Sequence, residues 1–213
     1  MLFRSAHLSD WAGEHVRVGV GDDCALLDVG PGFELVVSTD TFVEGVHFPN
    51  GASGAIVAER SLAASASDLA AMGAEPFAVV GALILKGIDS EWLGSFSERL
   101  GELLRLNALP LVGGNLTRGP HLSLTWTVMG RVKAGQALTR SGAKVGQDVY
   151  VSGWLGRAAA GLELILRTHR EREECSSAWM DAASVAKGAY SAPKARLALG
   201  QKLIGVATSA IDI

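Results

Sequence analysis

Cysteine is scarce in this sequence. Cys24 and Cys175 are the only two among 213 residues, and they lie far apart along the chain. Two isolated cysteines match neither the spacing of a metal site nor a disulfide framework, and they are typical of a reducing compartment. We therefore expect neither cysteine to take part in chemistry.

Long apolar runs and an excess of basic charge are also absent. The longest apolar run, residues 77–85, is too short to cross a bilayer, and the first fifteen residues have no apolar signal-peptide core. Lys+Arg number 19 against 22 Asp+Glu, which gives a net charge of -3 and no basic surface for a nucleic-acid backbone. We expect a cytoplasmic protein that binds neither membranes nor nucleic acid.

The composition that remains is typical of a globular chain. Hydrophobic residues make up 48% of the sequence and charged residues 19%, so a sizeable core can form. The length fits one large domain, or one domain and part of a second. We favour the second arrangement, with an N-terminal domain over 1–135 and the start of a C-terminal domain over 136–213.

Hydrophobic patterning predicts an α/β (α+β) fold with a mixed sheet covered by helices. In the first part of the chain, strands are predicted at 33–39, 77–85, 109–112 and 122–132, and helices at 55–72 and 91–106. In the second part, strands are predicted at 148–152 and at the chain's last residues, ending at Asp212, with helices at 156–167, 178–189 and 193–204.

The segment 122–132 has the alternation of an amphipathic strand. Leu122, Leu124 and Trp126 alternate with Ser123 and Thr125. A sheet with one face so apolar must be covered by helices or by a partner subunit. The pattern therefore favours dimerisation through the sheet.

Five aspartates lie in short apolar or glycine-rich settings, where an unpaired carboxylate is costly: Asp22, Asp23, Asp40, Asp68 and Asp212. Such acids are expected to gather around cations. Ser38 and Thr39 precede Asp40, and hydroxyl and carboxylate oxygens together suit Mg²⁺. We infer several magnesium ions and phosphate-bearing substrates.

Each of these acids has a simpler explanation when it is considered alone. A solvated turn explains the pair Asp22 and Asp23 equally well. Asp68 is explained by capping or by a hydrogen bond to a neighbouring loop, and His47 is explained better as an ordinary hydrogen-bonded histidine beside the sheet. The metal hypothesis therefore depends on the acids as a set.

Six segments, in order, carry a family resemblance: GVGDDCALLD, STDTFVEGVHF, SASDLAAMGAEP, LVGGNLTRGP, LTRSGAKVGQDVYVSG and SAIDI. Together they resemble the thiamine-monophosphate kinases, which belong to a wider superfamily with aminoimidazole ribonucleotide synthetase and selenophosphate synthetase. The resemblance spans nearly the whole chain. It implies a homodimer that transfers the γ-phosphoryl group of ATP to thiamine monophosphate, with Mg²⁺ as cofactor and thiamine diphosphate as product.

The resemblance also implies roles for individual residues. Its magnesium ligands fall on Asp23, Ser38, Thr39, Asp40, Asp68 and Asp212, with Asn115 at the position of a further ligand. Its ATP contacts fall on Gly114, Asn115, Thr117 and Arg140, and its substrate contact falls on His47. No general base is required, because a phosphate monoester is already largely deprotonated at neutral pH. Catalysis would then rest on metal ions and positioning.

Two departures from the family pattern qualify this function. The family has an aspartate where this chain has Asn115, so we expect weaker metal or ATP binding. The run Ser-Asp-Gly expected after Asp212 is missing, together with the C-terminal half where the family places further acceptor-binding groups, so we expect a truncated chain whose activity the sequence leaves open.

These departures leave two other functions open. One is a catalytically impaired module for nucleotide binding or dimerisation. The other is a different ATP-dependent member of the superfamily, acting on another small phosphate or carbonyl compound.

Overall fold

The fold is built on one mixed β-sheet. A computed structural model of the chain describes residues 14–18, 26–87, 89–166 and 177–213. A short antiparallel pair, β1 (Val16–Val18) and β2 (Leu26–Leu27), precedes the main strands β3 (Phe33–Val43), β4 (Glu75–Leu85), β5 (Leu111–Arg118) and β6 (Ser123–Lys133). The strand order is β3-β6-β4-β5, with β5 parallel to β4 and the other neighbours antiparallel. The predicted α/β fold with a mixed sheet is confirmed.

Among the described residues, five α-helices accompany the strands: α1 (Gly54–Ala71), α2 (Ser90–Leu106), α3 (Arg157–Leu166), α4 (Ser177–Ser191) and α5 (Leu197–Leu203). Side chains cap the first two, because Ser53 accepts from the Ile56 amide and Asp89 accepts from the Glu91 and Trp92 amides. A search of the described part of the chain finds no helix long and apolar enough to cross a membrane.

Helix α1 covers one face of the sheet. Its Val57, Leu62 and Leu69 are buried against side chains of β6, among them Trp126 and Val128. The indole Nε1 of Trp126 donates to the Ser61 hydroxyl at 2.9 Å, so the single polar group of this large core side chain is satisfied. The alternation predicted for β6 is confirmed, and its apolar side faces the helix.

The opposite face of the sheet is only partly covered. Val16, Leu27 and Val29 pack over Phe77 and Val112 at one end. On β3, Leu35 and Val37 remain 47% and 54% exposed. Two hydroxyl pairs lie beside them, Thr39 with Thr127 at 2.9 Å and Thr41 with Thr125 at 2.8 Å. We call this surface the open face.

Two strands differ from their predicted bounds. The strand predicted at 33–39 continues to Val43, so Asp40 lies inside it and not at its end. The strand predicted at 109–112 extends instead over Leu111–Arg118, so residues 113–118, which were not predicted as a strand, belong to β5 and pair with β4. Backbone pairing with a neighbouring strand outweighs the low strand preference of glycine at these positions.

The second part of the chain has fewer elements than predicted. Residues 148–152 and 206–213 form no strand, because among the described residues no strand lies beside them to accept their hydrogen bonds. The helix predicted at 193–204 is limited to α5, whereas α3 and α4 agree with their predictions apart from residue 167, which lies outside the described residues.

Helices α4 and α5 pack on α1 from the side away from the sheet. The Arg60 guanidinium lies 3.5 Å from the centre of the Tyr190 ring and donates to the Tyr190 carbonyl. Gly200 of α5 lies so close to the Ala70 carbonyl that any side chain would collide with it. Helix α1 therefore joins the two parts of the chain.

A matched pair of serines on α1 tests how it is seated. Ser61 and Ser65 are both buried, but only Ser61 has a partner, since the Ser65 hydroxyl has none among the described residues. We expect Ser61→Ala to lower the free energy of unfolding by about 1–3 kcal/mol, because it leaves the Trp126 N–H unsatisfied. Ser65→Ala removes an unsatisfied group and should be neutral or stabilising. Urea denaturation measures both, and equal losses would contradict this packing.

Candidate functional site

Asp68 and Ser38 meet beneath the last turn of α1. The Ser38 hydroxyl of β3 donates to the Asp68 carboxylate, and both side chains are half-buried. Asp40 lies two residues further along β3, and alternate residues of a strand share a face. Its pairing with Trp126, which faces the helix, places Asp40 on the same side of the sheet as Ser38.

Asp212 joins these acids from the far end of the sequence. Its burial raises the pKa of its carboxyl above the usual value, and the negative charge of Asp68 raises this pKa further. The positive charge of Arg140 lowers the pKa of Asp212, and the negative charge of Asp40 raises it slightly. Asp68, Asp40 and Arg140 therefore each lie within electrostatic reach of Asp212, although the four residues come from four separate segments.

The donors of this acid cluster, Ser38, Asp40, Asp68 and Asp212, fit magnesium. They are all hard oxygen atoms, and a cation would offset the repulsion that raises the pKa of Asp212. Within the described ranges, no three His, Cys, Asp or Glu side chains are arranged to hold one ion between them. Mg²⁺ does not require such a cage, because it usually keeps several waters and binds one or two carboxylates together with substrate phosphates.

Thr39, Asn115 and Thr117 lie on the other side of the sheet. Thr39 bonds to Thr127 on the open face, and Asn115 lies in a row across the sheet with Thr41, Thr125 and Ala82. Because Thr39 and Asn115 belong to the two edge strands, three strand spacings of about 4.8 Å separate them, or roughly 14 Å. They cannot bind the same ion within one copy of the chain.

His47 lies on an exposed loop, residues 44–51, that follows β3. The backbone N–H of Val43 donates to its Nδ1 at 3.0 Å, so the proton of the neutral ring is on Nε2. The buried ring of Phe48 anchors the loop, and the Gly45 amide donates to the Phe48 carbonyl at 2.8 Å. The histidine is held with its Nε2–H available to a ligand.

Glu44 fixes this loop, although the sequence had not indicated it as a site residue. Its carboxylate accepts from the Gly51 amide at 3.1 Å and pairs with Lys86 of the neighbouring segment. The hydrogen bond from Lys86 holds the pKa of Glu44 below its usual value, although burial opposes this effect. A glutamate at the start of a turn is too common in sequences to have been singled out.

The predicted site residues are therefore only partly brought together. Ser38, Asp40 and Asp68 lie on the helix-covered side, and Asp212 lies within electrostatic reach of Asp68, Asp40 and Arg140. Thr39, Asn115 and Thr117 lie on the open face. Gly114 is exposed on β5, the strand that carries Asn115 and Thr117. Asp22 and Asp23 lie outside the described residues.

Comparison with known proteins identifies relatives. The family model described as AIR synthase related protein, N-terminal domain, matches residues 21–132. The thiamine-monophosphate kinase of Escherichia coli (strain K12) is 44% identical over 198 residues, which are 93% of this chain and 59% of that protein. The family resemblance seen in the sequence is thereby confirmed.

Solved structures agree with the fold. The crystal structure of thiamine-monophosphate kinase from Stenotrophomonas maltophilia K279a has a TM-score of 0.83 at 38% identity and covers 94% of this chain and 62% of that chain. AaThiL complexed with AMPPCP and TMP has a TM-score of 0.76 at 26% identity and covers 91% and 60%. The chain thus spans about 60% of the length of these relatives.

Acid should loosen the loop that carries His47. A carboxyl whose pKa is lower in the folded state contributes stability above its unfolded pKa, and this contribution disappears as the pH falls through the folded pKa. We expect Glu44→Gln to cost no more than about 1 kcal/mol at pH 7, because Lys86 is half exposed, and to cost less at low pH. Urea denaturation at several pH values measures this, and a cost that grows toward acid pH would contradict it.

Proposed function

This chain belongs to the AIR synthase related family, and from that membership we propose that it serves as a Mg²⁺-dependent thiamine-monophosphate kinase. The reaction transfers the γ-phosphoryl group of ATP to thiamine monophosphate and gives thiamine diphosphate. The relatives that match most of its length support this proposal, since they are thiamine-monophosphate kinases.

One observation carries the proposal: acids from distant segments converge. The charges of Asp68 on α1 and Asp40 on β3 both act on Asp212 near the end of the chain, and Ser38 is bonded to Asp68. Carboxylates that repel one another in a half-buried place are unfavourable without cations. A site for metal-bound phosphates supplies a reason for keeping them.

Phosphoryl transfer needs positioning and charge neutralisation more than covalent chemistry. Ser38, Asp40, Asp68 and Asp212 would provide oxygen ligands for magnesium, and the metal would supply charge neutralisation for the phosphates. Arg140 lies within reach of the same acids and has the charge to bind a nucleotide phosphate. From the resemblance alone, we also assign Gly114, Asn115 and Thr117 to the nucleotide; contacts of Asn115 and Thr117 would then be made on the open face, across the sheet from the acid cluster.

His47 is proposed to contact the acceptor. Its Nε2–H points away from the backbone bond that fixes the ring and can donate to a ligand. The acceptor phosphate needs no general base, because it is already deprotonated at neutral pH. The histidine is therefore assigned to binding and orientation.

We also propose the domain division at residues 135 and 136 and a cytoplasmic location. The core cluster of buried residues spans positions 48–128, and Leu197 is its single buried member from beyond residue 135 within the described chain. An ATP-consuming step of coenzyme synthesis belongs in the cytoplasm, where ATP and the coenzyme are used.

Replacing Asp68 tests the kinase assignment. We expect wild type to form thiamine diphosphate from ATP, Mg²⁺ and thiamine monophosphate. Asp68→Asn should lower turnover by about tenfold to a hundredfold, because it removes a metal-binding charge. Addition of Mg²⁺ should raise the melting temperature of wild type but not of the variant. Asp181→Asn, on the exposed side of α4, is the control.

Three results separate the alternatives. Turnover of Asp68→Asn equal to wild type would contradict the role of the acid cluster. Binding of ATP without product would favour the silent nucleotide-binding module, which Asn115 supports because it removes one negative charge from the expected site. Product from another small phosphate or carbonyl compound alone would favour a different superfamily activity.

The open face is proposed as the interface of a homodimer. Leu35 and Val37 are about half exposed on an edge strand. The threonine hydroxyls beside them bond to each other in pairs, so they depend less on water as a hydrogen-bond partner. An exposed apolar edge of this kind requires a cover. A second copy of the same face would provide it.

A lysine on the exposed edge strand of the open face should separate the dimer. We expect wild type to elute as a dimer and Val37→Lys as a monomer, because the substitution buries a charge against its own copy. Val185→Lys is the control, since Val185 of α4 is 53% exposed, nearly the same fraction as the 54% of Val37. Light scattering after size exclusion measures the mass. A monomeric wild type, or a dimeric Val37→Lys, would contradict the interface.

A further inference from the structure

The last residues of the chain are held by a turn around Arg140. We call residues 206–213 the tail; they form neither helix nor strand. The Ser209 hydroxyl bonds to the carbonyls of Thr139 at 2.8 Å and Arg140 at 2.9 Å, and the Ala210 amide donates to the Thr139 carbonyl at 3.3 Å. These bonds join the tail to the turn at adjacent backbone positions.

Two further contacts restrain the same place. The Thr208 hydroxyl donates to the Gln147 side chain at 2.9 Å. A side chain on Gly142 would collide with the Thr208 carbonyl, so the backbones approach as closely as glycine allows. The turn and the tail therefore fit together at one separation.

Apolar burial contributes little to holding the tail. Val206, Ile211 and Ile213 are 78%, 58% and 88% exposed. The polar contacts of Ser209 must therefore supply much of what keeps Asp212 beside the other acids.

We propose that Ser209 is a positioning residue that sets the distance between Asp212 and Arg140, with Gly142 as the surface against which the tail rests. This inference rests on the proposed function, in which Asp212 binds the metal and Arg140 binds the nucleotide. The Ser209 hydroxyl contacts the Arg140 carbonyl, and Ser209 lies three residues before Asp212. A shift of the turn would therefore move Arg140 and Asp212 together. We call the contact of Ser209 with this turn the clamp. It holds the positive charge of Arg140, proposed for the nucleotide, near the negative charge of Asp212, proposed for the metal.

Four variants of the full chain test the clamp. Ser209→Ala removes its hydroxyl, Ser209→Thr keeps it, and Gly142→Ala separates the two backbones. Ser141→Ala is the control, because Ser141 is exposed in the same turn and its hydroxyl bonds only within the turn, to Thr139. Circular dichroism first establishes that each variant is folded.

Two measurements are made on each variant. Calorimetry with Mg²⁺ alone should show about tenfold weaker affinity for Ser209→Ala, which is the effect expected when a group that orients a ligand is removed. Hydrogen exchange without metal should be faster in the peptide that contains the tail. Gly142→Ala should resemble Ser209→Ala, whereas Ser209→Thr and Ser141→Ala should resemble wild type.

The outcomes separate this proposal from the kinase assignment. Ser209→Ala with wild-type exchange and wild-type Mg²⁺ affinity overturns the clamp and leaves the kinase assignment intact. Faster exchange with unchanged Mg²⁺ affinity overturns the positioning role. A wild-type chain that takes up no Mg²⁺ and forms no thiamine diphosphate overturns the proposed function, and this inference with it.

Discussion

Helix α1 lies between the sheet and the C-terminal helices, and the seating of this helix determines the rest of the molecule. The bond from the Trp126 indole to Ser61 fixes its position on the sheet. In the last turn of the same helix, Asp68 accepts a hydrogen bond from Ser38. On the outer side of the helix, the Arg60 guanidinium packs against the Tyr190 ring. A shift of α1 by one residue would rotate Asp68 by about 100° and remove it from the acid cluster.

Local sequence patterns predicted those elements that carry their own periodicity. Helices α1 and α2 and strand β6 agree with prediction within one or two residues, because apolar spacing identifies the face that each buries. The errors lie where an element depends on a neighbour. Residues 113–118 became a strand because β4 lies beside them, and residues 148–152 did not, because within the described chain no strand does. Local composition does not contain that information.

The acid cluster was predictable for a different reason, namely the cost of a carboxylate in an apolar setting. That reasoning identified Asp40, Asp68 and Asp212, and in the structure the charges of the first two act on the third. It could not identify Ser209 or Gly142, because serine and glycine can be placed almost anywhere in a chain at little cost in free energy. Their contacts exist only once the tail has folded back on the turn. Sequence reasoning thus found the charges but not the groups that hold them in place.

The alternation of β3 has a consequence for the number of metal ions. Ser38 and Asp40 face α1, whereas Thr39 between them faces the open side, as does Asn115 on β5. A sheet of paired backbone separates the two sets, and Mg²⁺ requires oxygen ligands at about 2.1 Å. The ligand set implied by the family resemblance therefore cannot surround one ion within one copy of the chain. Thr39 and Asn115 are also too far apart to share an ion within one copy, so that ligand set would have to be divided among several ions. Because the open face is also the proposed dimer interface, a second copy would cover Thr39 and Asn115, whereas Ser38 and Asp40 face α1 of their own chain.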